Sequence, residues 1–353
     1  MAEVSFLKRR WKLILNIVTL VALVVLIYLI RHQLVQTLHN LTQINAWALL
    51  LIIPVEILNY DSQARLYRSL FKIVGSKLSY RSMYETSLEL NFVNHVFPSG
   101  GVTGISYFGV KMRNKQITAS KATVVQLFKL VLLFLSFEVI LVFGLFFLSL
   151  GHHVNNLTIL IAGSFSTLLV IVTAAFAFVI GSRSRIAGFF TFITVILNKL
   201  LHVVRPNHPE TFNIKRAREI FDDLHENYAL IQTNWRALKK PFLWALMANV
   251  WEVAAVYVVY IAFGQYVNVG AVILAYAVAN FAGLVSVLPG GVGVYEALMT
   301  GVLVAAGVPA RVSLPVTVMY RVVNTVVQLP FGYFYYHRTL QGRSVKELTA
   351  DVG

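Results

Sequence analysis

Long apolar runs constrain this chain more than any other feature. Residues 11–30, 123–150 and 156–181 each carry about the 20 or more apolar residues that a helix needs to cross a bilayer. Soluble domains are roughly 45–50% apolar and about 25% charged. Here 58% of residues are hydrophobic, 13% are charged, and the mean hydropathy is +0.71. The length leaves room for roughly six to nine membrane segments and little else. A soluble enzyme, a nucleic-acid-binding domain and a secreted scaffold are excluded.

Further spans are expected near 44–65, 241–263, 271–288 and 312–336. The stretch 186–204 is apolar but is interrupted by Lys199 and His202, and reads as interfacial. Segment 205–240 is polar. Within it Phe221, Leu224, Tyr228, Ile231 and Trp235 recur at three- and four-residue steps, which predicts an amphipathic cytoplasmic helix. The net charge is +15, from 30 Lys and Arg against 15 Asp and Glu. Those cations crowd the segments 8–12, 65–81, 111–121, 183–240 and 338–346, whereas 151–156 and 264–268 have none. The positive-inside rule puts the basic segments and both termini in the cytoplasm. The run 11–30 is too long for a signal peptide and reads as a retained helix. With no Cys, there is no disulfide or thiol chemistry.

This orientation forces two hairpins. Arg81 and Lys111 both lie inside, yet 82–110 is partly apolar and too short for two crossings with a turn. It should enter from the cytoplasm and return. The stretch 269–308 should enter from outside and return there. Each hairpin carries a Pro-Gly-Gly element: Pro98-Ser-Gly100-Gly101 in the first, Pro289-Gly290-Gly291 in the second. At an offset of 192 residues Lys129 falls on Arg321 and Ser136 on Gln328. The fold class expected is therefore all-α: a single integral membrane domain over 1–353, with about six full spans. It should contain two inverted re-entrant repeats, 82–150 and 269–336. Broken helices in inverted repeats are a feature of secondary transporters. Two ordinary Pro-kinked helices with chance similarity are the alternative. Small residues at four-residue steps, Ala271–Ala275–Ala279–Gly283 and Gly293–Ala297–Gly301–Ala305, would let the arms of the second hairpin pack closely.

Ionisable groups inside spans are costly and default to function. They are Glu56, Asp61, Glu85, Glu89, Lys129, Glu138, Glu252, Glu296 and Arg321. Thr317, Arg321, Asn324 and Gln328 share one helical face. The planar fork of Arg321 suits a phosphate; an internal pair with Glu296 is the other reading. Glu296 follows the second turn, where it could equally serve as a charge partner of a helix N-terminus. Glu56, Asn59 and Gln63 form a stripe, and Asn91, Asn94 and His95 approach the first turn. No HExxH, P-loop or Gly-x-Ser-x-Gly motif is present. No metal, cofactor or enzymatic activity is expected.

The stretch Leu288-Pro-Gly-Gly-Val-Gly-Val-Tyr-Glu296, followed by Gly307-Val-Pro, Arg321 and Pro330-Phe-Gly332, resembles the flippase-like membrane domain of lysylphosphatidylglycerol synthases, the multiple peptide resistance factor family. The resemblance covers nearly the whole chain. It implies a domain that moves aminoacylated phospholipid between leaflets, here a stand-alone form without the aminoacyl-transferase domain. The chain departs from the family pattern at two places. Its first turn, Pro98 to Gly104, lacks the family's Glu and following Arg, and the next span reads Gln126-Leu-Phe-Lys129 where a Glu-Arg pair is common.

The expected function is translocation of an anionic phospholipid or lipid-linked substrate across a prokaryotic plasma membrane. Substrate contacts would come from Arg321, Glu296, Lys129, Asn324, Gln328 and Asn94, with Pro98, Gly100, Gly101, Pro289, Gly290 and Gly291 shaping the two turns. The partners are membrane lipids and no nucleic acid. The alternatives are a non-catalytic membrane subunit presenting lipid to a separately encoded transferase, and a small-solute exporter.

Overall fold

The computed structural model describes residues 44–97, 102–150, 156–180, 235–285 and 293–342, with isolated positions between 21 and 35 and between 182 and 188. Most of the expected span at 11–30 and of the stretch 186–204, nearly all of segment 205–240 and both Pro-Gly-Gly turns lie outside them.

Among the described residues every regular element is a helix. A single turn, α1 (Ala46–Leu49), precedes a set of four: α2 (Ile52–Ile73, 22 residues), α3 (Tyr80–Val96, 17 residues), α4 (Val102–Arg113, 12 residues) and α5 (Ala119–Ser149, 31 residues). After α6 (Asn156–Ile180) a second set has nearly the same lengths. It comprises α7 (Lys239–Ala262, 24 residues), α8 (Val269–Val285, 17 residues), α9 (Val294–Ala305, 12 residues) and α10 (Ala310–Gly342, 33 residues).

The helix ends match as well. Ser79 opens α3 by accepting from the Ser82 N–H, and Asn268 opens α8 by accepting from the Gly270 N–H. Gly75 after α2 and Gly264 after α7 have φ of 76° and 65°, and a reversed bond closes each end: Ser76 N–H to Phe71 O, and Gln265 N–H to Tyr260 O. The same closure ends α4 and α9, with Ile117 N–H to Met112 O and Val308 N–H to Leu303 O. There the left-handed residues are Gln116 and Gly307.

Four described helices are long and apolar enough to cross a membrane: Ala119–Ser149, Asn156–Ala175, Arg236–Ala262 and Ala310–Thr339. The 22 residues of α2 include Glu56, Asp61, Arg65, Arg68 and Lys72, which lower its apolar character. The arms of the hairpins are shorter. Helices of 17 and 12 residues rise about 26 and 18 Å, less than the roughly 30 Å hydrocarbon core. The chain is an all-α polytopic membrane protein.

Packing crosses between the sets. The pair α3–α4 folds on itself, as does α8–α9. In addition, α3 lies against α10 and α8 against α5, so each hairpin leans on the long helix of the other set. A glycine sits at each crossing. A Cβ at Gly332 would come 2.6 Å from Phe92 Cβ and 2.8 Å from Leu88 O; one at Gly270 would meet Leu148 N at 2.9 Å. The most extensive interface joins α2 to α7 and places their polar stripes face to face.

One packing expectation is corrected. Ala271, Ala275 and Ala279 are fully buried, as close packing requires. The second ladder is not: Ala297 and Gly301 on α9 are exposed, and nothing stands within 4 Å of a Cβ at Gly301. Helix α9 buries Tyr295, Glu296, Met299, Val302 and Leu303 instead, a face with larger side chains to remove from water or lipid.

Candidate functional site

The second half-site starts from the cap of α9. Gly293 takes φ 86° at the N-terminal boundary, and its N–H donates to Glu296 Oε2 at 2.6 Å. The other carboxylate oxygen, Oε1, accepts from Arg321 Nη1 on α10 at 2.7 Å. Glu296 is thus both a helix-end acceptor and an ion-pair partner, so two readings that the sequence left as alternatives hold together. The guanidinium carbon lies 4.9 Å from the centre of the Tyr295 ring, within cation–π range.

Arg321 lines a polar cavity of about 260 Å³ with Asn94, His95, Asn324 and Gln328. His95 Nδ1 bonds the Asn91 carbonyl at 2.9 Å, so that nitrogen carries the proton. The structure therefore brings Arg321, Glu296, Asn324, Gln328 and Asn94 to one place. Lys129 is not among them. On α5 its ammonium donates to Tyr67 OH at 2.9 Å and lies 4.4 Å from the Tyr67 ring centre. Pro98, Gly100, Gly101, Pro289, Gly290 and Gly291 fall outside the described residues.

Sequence reading left Glu252 out of the site, although it appears among the ionisable groups in spans. It is the point on which three donor chains converge. Gln63 Nε2 donates to Asn59 Oδ1 (3.1 Å), and Asn59 Nδ2 donates to Glu252 Oε1 (2.5 Å). Asn280 donates to Tyr276 OH (2.8 Å), which donates to Glu252 Oε2 (3.1 Å). From the side of the first hairpin, Asn91 donates to Gln328 Oε1 and Gln328 to Asn324 Oδ1 (2.6 Å). Asn324 continues to Tyr320 OH (3.3 Å), which reaches Glu252 Oε2 at 3.2 Å. Each chain ends in a donor to the Glu252 carboxylate, and each bond polarises the next. The signal was present: Tyr276/Asn280 and Tyr320/Asn324 repeat the same Tyr–Asn spacing of four.

Glu252, Tyr276 and Asn280 also line a second cavity, of about 180 Å³. Its remaining wall is largely apolar, with Leu130, Leu133, Phe134 and Phe137 from α5 and Phe165 and Leu169 from α6. A polar cavity and an apolar one therefore share a wall at Glu252.

The family profile described as the lysylphosphatidylglycerol synthase TM region matches residues 13–332. The chain belongs to that family. Two archaeal relatives are similar to it. A UPF0104 membrane protein of Methanothermobacter thermautotrophicus is 26% identical over 160 residues, 39% of this chain and 48% of the relative. The chain thus spans about half the length of that relative. A UPF0104 membrane protein of Methanocaldococcus jannaschii is 21% identical over 270 residues, 76% of this chain and 77% of the relative. The family match bears out the resemblance read from Leu288 to Gly332. It covers the membrane region by which the synthases are described and carries no statement about aminoacyl transfer.

Proposed function

We propose that this chain translocates an anionic phospholipid, or another lipid-linked anion, between the leaflets of a prokaryotic plasma membrane. Both termini face the cytoplasm in this reading, and the chain itself has no transferase activity. The observation that carries it is the pairing of cavities. A polar cavity holding Arg321 adjoins an apolar one, a combination that suits a molecule with a charged head and a hydrocarbon tail. Arg321 offers a planar fork to phosphate. Asn324, Gln328 and Asn94 supply amide donors and acceptors beside it, and Glu296 balances the guanidinium when the headgroup is absent. Lys129 drops out of the headgroup set because it lines neither cavity.

The test is purified full-length protein in liposomes with a fluorescent phosphatidylglycerol and a membrane-impermeant quencher. Protein-dependent exposure of inner-leaflet label is expected, and Arg321→Lys should slow it. Flux of small solutes without lipid movement would favour an exporter. Neither activity would favour a subunit that presents lipid to a separate transferase.

A further inference from the structure

A separate pocket lies at the end of α2 remote from its apolar start. Arg65, Arg68 and Lys72 occur at steps of three and four and so share one helical face. The chain enters α7 through a 3₁₀ turn, Trp235–Leu238, and Arg236, Lys239 and Lys240 there line the same cavity as the α2 cations. These six cations line one cavity of about 690 Å³. Among the described residues no Asp or Glu lines it. Outside the cavity wall, Asp61 pairs with Arg65 at 2.8 Å. Cations gathered around one volume repel each other unless an anion sits among them. The pocket shares no lining residue with the cavity at Arg321.

We propose that this pocket binds a closely linked pair of phosphates, carried by a doubly charged phospholipid headgroup in the cytoplasmic leaflet. Two observations favour two phosphates over one. The cations come in two groups of three, one on α2 and one on the turn and start of α7, and the volume is within the range of sites for whole small molecules. Three observations favour a lipid. The positive-inside rule places this end at the cytoplasmic surface, where basic pockets between membrane helices take lipid headgroups. Half-buried Trp244 lines the pocket and stacks on Arg65 at 4.9 Å, in keeping with the place of indoles at the membrane–water boundary. Leu243 next to it is half exposed, leaving an apolar surface for acyl chains. Ser69 adds a hydroxyl on the α2 wall.

The experiment uses the full chain, delipidated in a neutral detergent, with native mass spectrometry and thermal unfolding as readouts. Cardiolipin, phosphatidylglycerol, phosphatidylcholine and inorganic pyrophosphate are the probes. Cardiolipin should bind more tightly than phosphatidylglycerol, and phosphatidylcholine least. Arg68→Gln, Lys72→Gln and Lys239→Gln combined should weaken cardiolipin on the order of a hundredfold, from the loss of three surface cations. Each single variant should show a part of that loss, so the result stands even if the triple variant unfolds. Unchanged cardiolipin binding in the single and triple variants, or equal binding of phosphatidylcholine, overturns the site. Protection by pyrophosphate without cardiolipin binding overturns the lipid source. None of these readouts depends on lipid translocation, so the two proposals fail separately.

Discussion

Asn59 on α2 donates to Glu252 on α7 at 2.5 Å, across the interface of two helices that hold the same place in the two sets, Gly75 and Ser79 after one matching Gly264 and Asn268 after the other. Corresponding helices of two repeats pack face to face beside the axis that relates them. Glu252 therefore stands near the centre of the molecule, where α2 and α7 face each other, and helices α8 and α10 bring it their tyrosines.

Glu252→Gln tests that centre. The amide replaces one accepting oxygen with a donor that faces other donors. Unfolding in detergent should show a loss of about 1–3 kcal/mol, the cost of a buried polar group left unmatched. Asn59→Ala should cost a similar amount, and the double variant should lose less than the sum, since the two share the Asn59–Glu252 bond. An unshifted melting temperature in both variants would contradict the convergence on this carboxylate.

The Arg321–Glu296 pair separates stability from substrate handling. Arg321→Gln leaves a buried carboxylate without its cation and should cost about 3–5 kcal/mol. Adding Glu296→Gln should restore much of that stability. Lipid transfer should remain low in the double variant, because the guanidinium is still missing. A double variant with full transfer in liposomes would remove Arg321 from the substrate path.

Gln116 occupies the left-handed position that Gly307 fills in the second set, at φ 59° against 89°. A side chain there costs roughly 1–2 kcal/mol of backbone strain, partly offset by the greater entropy that glycine loses on folding. Gln116→Gly should therefore raise stability by about 0.5–1 kcal/mol. Gly307→Gln should lower it. Thermal unfolding of the two variants side by side checks the sign of each.

Three glycines should respond differently to a single methyl group. Gly332→Ala and Gly270→Ala push a Cβ into backbone or Cβ atoms of the neighbouring helix, with an expected cost of about 1–3 kcal/mol. Gly301→Ala meets nothing and should be neutral or slightly stabilising through helix propensity. Equal effects at all three sites would argue against the crossings of α3 with α10 and α8 with α5.

Orientation can be read with single cysteines, because the chain has none of its own. Gln265→Cys, after α7, should react with an impermeant maleimide in intact cells. Lys115→Cys, between α4 and α5, should react only after permeabilisation. External labelling at 115 would invert the proposed placement of the first hairpin.

The sequence by itself determined what acts within one element. Apolar runs set the membrane class, and cap residues such as Ser79, Asn268, Gly75 and Gly264 set where helices begin and end. The four-residue steps from Thr317 to Gln328 put Arg321 and two amides on one face. These are local properties, fixed by backbone geometry and by transfer of single side chains. Which face meets which helix was decided only in three dimensions. The sequence sets Lys129 against Arg321 at an offset of 192 residues, yet one donates to Tyr67 and the other to Glu296. Ala297 and Gly301 look like a packing ridge and turn outward. On α7 the polar neighbour of Glu252, Asn249, turns to Ser136 on α5; the partners of Glu252 come from α2, α8 and α10. In a bilayer, lipid tails and protein neighbours are equally apolar, so hydropathy does not mark the buried side of a helix. The marks are small residues and polar side chains, and those are settled by the partner they find across the fold.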